Sequence, residues 1–306
     1  ERRAKKKDLT FRVPRVEADA AYLAANRAEA TVTFVGHATF LIQLGGLNIL
    51  TDPVWASRMG FAPRLSPPGL ALSDLPPIDV VLLSHAHYDH LHLGTMRRLP
   101  GEFLCLVPEG LERWLRRRGF ARVRELSWWS ETTAGGVTFA FVPARHWTRR
   151  TPWDTNTSHW GGWVMRCGED TLYFAGDSGY DGVFREIGAR YRGIRAALLP
   201  IGAYEPEWFM RGAHMSPEEA VQTFEDVGAD LFIPMHYDVF RLADDTPKEA
   251  LGRLGAAWAR RGLPRERLWT LAHGETRRWS RRAGGEELSA QPGSGVPAPS
   301  AGNGPA

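Results

Sequence analysis

One short segment, Ser84-His85-Ala86-His87-Tyr88-Asp89-His90, constrains this chain more than any other feature of its sequence. It follows the apolar run Asp79–Leu83 and holds three of the chain's ten histidines within six positions. In extended backbone alternate side chains project to the same side, so the first two histidines face one way, and a following turn can bring Asp89 and the third histidine beside them. An exposed polar turn is the alternative, but this density of imidazole and carboxylate predicts a metal site at the end of a buried strand.

Three further candidates share one placement, just beyond the C-terminal end of a short apolar strand. They are His146, Asp177 and His236. Each alone would fit an ordinary loop residue equally well, but active-site loops gather at such strand ends. Imidazole and carboxylate ligands without thiolate suit Zn²⁺, and Mn²⁺ or iron is compatible with the same set. We therefore predict that these side chains complete the metal site.

Short β-rich runs alternate with helical patterns along most of the chain. The runs predict strands at Thr31–Val35, Thr39–Leu44, Leu47–Leu50, Asp79–Leu83, Phe103–Val107, Val137–Val142, Gly162–Arg166, Thr171–Ala175, Ala196–Leu199, Asp230–Ile233 and Leu268–Leu271. Capping boxes with proline predict helices after Ser216 and Thr246, and an amphipathic pattern predicts a third at Glu109–Arg118. Because hairpins come first in each half and helices later, we expect an α/β fold with two sheets face to face and helices outside.

The composition predicts one folded unit flanked by two different ends. With 43% hydrophobic and 24% charged residues over 306 positions, the bulk of the chain can bury a core. Residues 1–30 are charged and alanine-rich, which predicts an N-terminal arm or a short helix. The range 31–282 contains no linker-like stretch and is predicted to be a single domain. Gly, Pro, Ala and Ser dominate 283–306, a composition typical of a disordered tail.

Charge and cysteine content limit the partners and the compartment. A net charge of +3 is mild for 306 residues, so nucleic acid is not an expected partner despite a pI near 9.0. Two cysteines are too few for a disulfide framework, but they could form one bridge, so the redox compartment is left open with a reducing one favoured. No apolar run reaches the ~18 residues that cross a bilayer. We expect a cytoplasmic protein; since the sequence opens with Glu1 rather than methionine, an upstream targeting segment is left open.

The histidine motif and the three later residues resemble the ligand pattern of the metallo-β-lactamase-fold hydrolases, whose fold is an αββα sandwich with two mixed sheets. In that superfamily the pattern implies a site for two Zn²⁺ ions. The resemblance implies one metal on His85, His87 and His146, a second on Asp89, His90 and His236, and Asp177 bridging both.

Flanking segments narrow the resemblance to one branch. They are Thr51-Asp52-Pro53-Val54-Trp55, Leu75-Pro76-Pro77-Ile78-Asp79, Arg145-His146-Trp147-Thr148-Arg149-Arg150, Asp154-Thr155-Asn156, Phe174-Ala175-Gly176-Asp177-Ser178-Gly179-Tyr180 and Pro200-Ile201-Gly202-Ala203-Tyr204-Glu205-Pro206. In this order they are similar to the N-acylphosphatidylethanolamine-hydrolysing phospholipase D family and its bacterial relatives. Tyr88 and His214 match positions that contact the substrate phosphate in that family, and both side chains can donate to phosphate oxygens. The alternatives are that Tyr88 only packs against neighbouring side chains and that His214 only stands at the start of a helix.

The branch implies a zinc-dependent phosphodiesterase that acts on N-acylphosphatidylethanolamine-like glycerophospholipids. Two metals about 3.5–4 Å apart would share a water, and the resulting hydroxide would attack phosphorus. Asp89 is the expected proton relay, and His214 is the expected second catalytic group.

Other functions and partners are left open by the same residues. A lactonase or a small-molecule phosphodiesterase would use the same metals, and a non-catalytic metal-binding protein is a further alternative. A phospholipid substrate implies peripheral contact with a membrane, whereas the sequence does not determine the oligomeric state.

His37 is expected to support the site, and His159 and His273 have no assigned role. Half of the twelve tryptophans lie between residues 128 and 163. They are expected either to pack in the core and loops or to form an apolar wall that contacts acyl chains.

Overall fold

Two large β-sheets carry the fold in the computed structural model, which describes residues 7, 8 and 10–279. The predicted tail 283–306 and part of the predicted arm lie outside the described residues. The strands are β1 Thr31–Gly36, β2 Thr39–Leu44, β3 Leu47–Thr51, β4 Arg58–Met59, β5 Ala62–Pro63, β6 Val80–Leu82, β7 Leu104–Pro108, β8 Val123–Leu126, β9 Glu131–Ala134, β10 Val137–Pro143, β11 Gly161–Cys167, β12 Asp170–Phe174, β13 Ile194–Pro200, β14 Leu231–Met235 and β15 Thr276–Arg278. The helices are α1 Ala20–Ala25, α2 Leu93–Met96, α3 Glu112–Arg116, α4 Val183–Arg190, α5 Glu207–Met210, α6 Pro217–Val227 and α7 Pro247–Arg260.

Both sheets mix antiparallel and parallel pairs. The first has the order β15-β1-β2-β3-β6-β7-β8, and the second has the order β14-β13-β12-β11-β10-β9. In the first sheet the strands from β15 to β3 pair antiparallel and those from β3 to β8 pair parallel. In the second sheet β9 to β12 pair antiparallel, whereas β12, β13 and β14 pair parallel. Parallel neighbours end at a common edge, which is where side chains from several strands can meet.

Alternation along β1 places successive side chains in two different cores. Phe34 joins the cluster between the sheets together with Phe139 of β10, whereas Val35 joins a second cluster beneath α2 and α3. The sheets are also linked directly, because Trp163 Nε1 of β11 donates to the Leu83 carbonyl at 2.9 Å. Each aromatic side chain buried in this way contributes about 2 kcal/mol or more to stability. The two sheets therefore pack face to face, as predicted.

The predicted capped helices cover the outer face of the second sheet. Ser216 Oγ accepts from the Glu219 amide at the start of α6, and Gly228 ends the helix with a φ of 65°. Phe224 of α6 packs against Trp258 of α7, with ring centroids 5.1 Å apart. The layers are helix, sheet, sheet and helix, so the predicted αββα sandwich is confirmed. No helix among the described residues has the length and apolar character that crossing a membrane requires.

Some elements differ from the sequence-based prediction. Leu268–Leu271 forms a single bridge between Leu268 and Phe232 instead of a strand, because the chain turns at Ala272 soon afterwards. α3 is shorter than predicted and begins at Glu112, since Gly110 has a φ of 95°. The sequence analysis missed β8, β9 and β15. All three are edge strands with exposed or half-exposed positions, so they lack the apolar runs by which buried strands are identified.

Candidate metal centre

The structure brings all seven predicted metal-binding side chains together at one edge of the sandwich. The loop between β6 and α2 supplies His85, His87, Asp89 and His90, whereas His146, Asp177 and His236 follow β10, β12 and β14. Within each of several overlapping groups the ligand atoms lie within 4.8 Å of one another. Both sheets therefore contribute to a single cluster of imidazole and carboxylate groups that can bind metal.

Three histidines form the first group. His87 Nδ1 lies 2.8 Å from His85 Nε2 and 3.2 Å from His146 Nε2. Two nitrogens that bind one tetrahedral zinc ion at ~2.0–2.1 Å stand ~3.3 Å apart. The spacing between His87 and His146 matches this value, whereas His85 and His87 would move apart by about 0.5 Å to share a cation. Burial and neighbouring imidazoles hold the pKa of His85 well below its usual value, and burial lowers the pKa of His87. Neutral imidazole is the form that binds a cation.

A second group surrounds the carboxylates. Asp177 Oδ2 lies 3.2 Å from His90 Nε2 and 3.1 Å from His236 Nε2, and Asp89 Oδ2 is 3.4 Å from each of these nitrogens. The same Asp177 oxygen lies 4.0 Å from His85 Nε2 of the first group. Asp177 thus stands between the two groups, where a carboxylate could serve both.

Unpaired polar atoms show that this cluster fits a cation. Several buried atoms of the cluster make no hydrogen bond within the described part of the chain. They include His90 Nε2, His236 Nε2 and Asp177 Oδ1. Buried polar atoms without partners are costly unless a ligand satisfies them. Although burial opposes it, the charge of Asp177 raises the pKa of His236 to about 9. A cation that binds here would therefore release a proton from His236 at neutral pH.

Hydrogen bonds on the far side of the rings fix which nitrogen faces the cluster. His146 Nδ1 donates to the Ala213 carbonyl at 2.9 Å, which leaves Nε2 with a free lone pair. Ser84 Oγ donates to Asp52 at 2.6 Å and therefore accepts from His85 Nδ1 at 2.9 Å. Both rings are held in the tautomer that a metal ligand needs.

Asp52 is a site residue that sequence reasoning missed, although it lies in one of the segments that carry the resemblance. It follows β3 directly, is fully buried, and accepts from the Ser84 amide at 2.8 Å. Its Oδ2 lies 2.6 Å from His90 Nδ1, so it orients the Nε2 of that ring toward the cluster. The signal was available, because Asp52 has the same position just beyond an apolar strand as Asp177.

His37 lies behind Asp89. Burial would raise the pKa of Asp89, but the charge on His90 and a hydrogen bond from His37 hold it well below its usual value. Since an ionised carboxylate only accepts, His37 Nε2 donates to Asp89 Oδ2 at 3.0 Å. The backbone amide of His37 in turn donates to Asp238 at 3.1 Å, and Asp238 contacts His273. His37 and Asp238 therefore hold Asp89 in place.

The two predicted substrate contacts differ in their surroundings. Tyr88 is half exposed, and its hydroxyl donates to the Arg150 carbonyl at 2.9 Å, so its proton is directed away from the cluster. His214 Nδ1 lies 3.9 Å from Asp177 Oδ2 and makes no hydrogen bond within the described residues. Burial lowers the pKa of His214 to about 4, so its imidazole is neutral at pH 7 and can donate to a ligand oxygen. His159 stacks on Trp128, with ring centroids 4.6 Å apart.

Gly176 sets the direction in which Asp177 leaves β12. Its φ is 62°, and an added Cβ would lie 2.6 Å from Ser84 Cβ and 2.8 Å from the Gly161 carbonyl oxygen. Gly176→Ala is therefore expected to lower the free energy of unfolding of the metal-free protein by about 2–3 kcal/mol in urea denaturation. Gly182→Ala is the control, because Gly182 is in open space with a φ of −64°. Equal stability of the two variants would contradict this account.

Two cavities of different character adjoin the cluster. The first, about 260 Å³, is lined by His236 and by apolar side chains that include Phe11, Leu65, Phe240 and Leu242. The second, about 330 Å³, is more polar and is lined by Tyr204, Glu207, Trp208, Arg211, His214, Ser216 and Glu219. A ligand that reaches the cluster can thus place an apolar part on one side and a polar part on the other.

The fold and the cluster of imidazole and carboxylate side chains together match one superfamily. The family model described as "Beta-lactamase superfamily domain" matches residues 47–237, and the chain belongs to this superfamily, with the metallo-β-lactamase fold.

Curated relatives and solved structures agree with this assignment. The chain is 37% identical over 226 residues to N-acyl-phosphatidylethanolamine-hydrolyzing phospholipase D 1 of Caenorhabditis elegans, which covers 68% of this chain and 64% of the worm protein. The chain thus spans less than two thirds of that relative. It is 30% identical to a UPF0173 metal-dependent hydrolase of Pelotomaculum thermopropionicum, over 74% of this chain and 92% of that protein. The structure of Igni18, a metallo hydrolase of Ignicoccus hospitalis, superposes with a TM-score of 0.64 at 24% identity, over 83% of this chain and 99% of that one.

Proposed function

We propose that this protein is a zinc-dependent phosphodiesterase of phospholipase D type that cleaves N-acylphosphatidylethanolamine-like glycerophospholipids. The observation that carries the proposal is the double cluster of imidazoles and carboxylates with an apolar cavity against His236. The similarity to the worm phospholipase D supports the choice of a lipid phosphodiester. Because the matched region is only part of that relative, the substrate is proposed for this chain and not transferred from it.

His85, His87 and His146 would hold one cation, and Asp89, His90 and His236 would hold the other, with Asp177 contacting both. When bound, such cations stabilise charge on phosphoryl oxygens and make a water acidic enough to lose its proton near pH 7.

The chain's own groups position the substrate and accept a proton. Asp89 is ionised and held by His37, so it can accept a hydrogen bond from a water, orient it, and relay the proton that this water loses toward the leaving oxygen. Neutral His214 can donate to a non-bridging phosphate oxygen from the side of the polar cavity. The oxygen of the water forms a new bond to phosphorus while the bond between phosphorus and the amino-alcohol oxygen breaks. The leaving oxygen takes up a proton, which yields phosphatidate and an N-acylated amino alcohol.

The proposal is tested by a hydrolysis screen on the metal-loaded protein. N-acylphosphatidylethanolamine vesicles, a simple aryl phosphodiester and a lactone are incubated with wild type and with His87→Ala, which removes a central nitrogen of the first group. We expect wild type to release phosphatidate and the variant to be slower by about 10³-fold or more. His159→Ala is the matched control, because this histidine stacks on Trp128 and belongs to none of the candidate metal-binding groups among the described residues.

Each result has a distinct meaning. Intact lipid alongside cleaved lactone or aryl phosphodiester would overturn the lipid assignment in favour of a different hydrolase of the same fold. Stoichiometric metal without turnover of any substrate would indicate a non-catalytic metal-binding protein.

A further inference from the structure

The described part of the N-terminal arm forms one wall of the apolar cavity beside His236. Phe11 lines this cavity together with residues that follow β14, among them Phe240 and Leu242, and it also packs against the core between the sheets. The lining is therefore completed by a segment that lies outside the predicted domain 31–282. Removing the Phe11 ring would enlarge the cavity.

The arm is anchored on both sides of Phe11. On one side Lys7 Nζ lies 2.7 Å from Glu205 and 2.8 Å from Glu249, and these contacts are partly buried. On the other side the Val16 amide donates to the His273 carbonyl at 2.9 Å. Val13, between the ring and this second anchor, is buried in the core between the sheets. The position of the aromatic ring is thus fixed by contacts with the body of the protein.

We infer that this cavity takes one acyl chain of an amphiphilic substrate and that Phe11 determines how long a chain it accepts. The inference rests on the proposed function in one respect, which is that the anionic head of the ligand binds at the cations beside His236. At ~30 Å³ for a group the size of a water molecule, the cavity of about 260 Å³ holds on the order of eight methylene-sized groups. Arg12, Arg241 and Asp245 also line the cavity, so charged groups of both signs border its apolar part.

The test measures binding and needs no turnover. Alkyl phosphonates from butyl to dodecyl are titrated into the zinc-loaded protein in a calorimeter. For wild type we expect Kd to fall about fourfold with each added CH₂ until the cavity is filled, near octyl, and then to level off. For Phe11→Ala we expect Kd to keep falling beyond octyl and to level off only at a longer alkyl chain. Phe61→Ala is the control, since Phe61 is 98% exposed and is not part of the lining.

The outcomes separate this inference from the proposed function. If wild type and Phe11→Ala level off at the same chain length, or if Kd does not depend on chain length, the inference is wrong even when lipid hydrolysis is observed. If the chain-length shift is seen while no phosphodiester is cleaved, the inference stands and the proposed reaction fails. Should Phe11→Ala fail to fold by circular dichroism, Phe11→Leu decides, with a smaller shift in the same direction expected.

Discussion

Asp177→Ala is expected to lower hydrolysis by at least about 10³-fold and to reduce the metal content of the protein. The side chain is buried, and its Oδ2 lies 3.1 Å from His236 Nε2 and 3.2 Å from His90 Nε2. The same oxygen lies 4.0 Å from His85 Nε2, so one substitution affects both groups of candidate ligands. Without this carboxylate the positive charge of two cations would have less compensation in a buried site.

Metal analysis and rate measurement on the same samples check this expectation. Asp177→Asn keeps the size of the side chain and separates loss of charge from loss of volume. Glu169→Gln is the matched control, because it neutralises an exposed carboxylate in the turn before β12. A variant Asp177→Ala that retains both the metal content and the rate of wild type would rule out the assignment of Asp177.

Asp52→Ala is expected to have the second largest effect, although Asp52 is not a candidate ligand. We expect metal affinity to fall by about 10–100-fold, because the carboxylate that orients His90 is lost. We also expect the metal-free protein to lose about 3–5 kcal/mol of stability, because His90 would lose a partner at a fully buried position. Burial opposes protonation of His90, but the charges of Asp177, Asp89 and Asp52 raise its pKa well above its usual value.

Chelator competition measures the first effect, and denaturant unfolding of metal-free protein measures the second. Asp74→Ala serves as the control, since Asp74 is exposed and its carboxylate accepts only from the neighbouring Ser73 among the described contacts. Unchanged metal affinity in Asp52→Ala would show that His90 does not need this carboxylate for its orientation.

The buried part of the fold could be predicted from the sequence, whereas its edges could not. Strands such as β2 and β13 are buried at every position, so their apolar runs identify them directly. The edge strand β9 has the sequence Glu-Thr-Thr-Ala and alternates between exposed and half-exposed positions, so nothing but pairing with β10 makes it a strand. The two helix starts were predicted because their capping boxes are local and complete.

Part of the candidate site could likewise be predicted from the sequence, and part could not. The side chains that face the cluster follow apolar strands or form one dense motif, and both are features of the linear sequence. Asp238 and Asp52 act through contacts between distant segments: the Asp238 carboxylate accepts from the amide of His37, and Asp52 lies 2.6 Å from His90 Nδ1. Such partners depend on how the two sheets and their loops pack. The position of Asp52 just beyond an apolar strand marks it as a candidate site residue, but no local pattern indicates which histidine its carboxylate will meet.

The short connection between β8 and β9, residues 127–130, is where the chain passes from the first sheet to the second. Four of the candidate ligands come before this connection and three come after it. Under the proposed assignment, proteolytic cleavage there would leave each fragment with an incomplete set of donors. Only the two fragments bound to each other would then be expected to be active, and neither fragment alone.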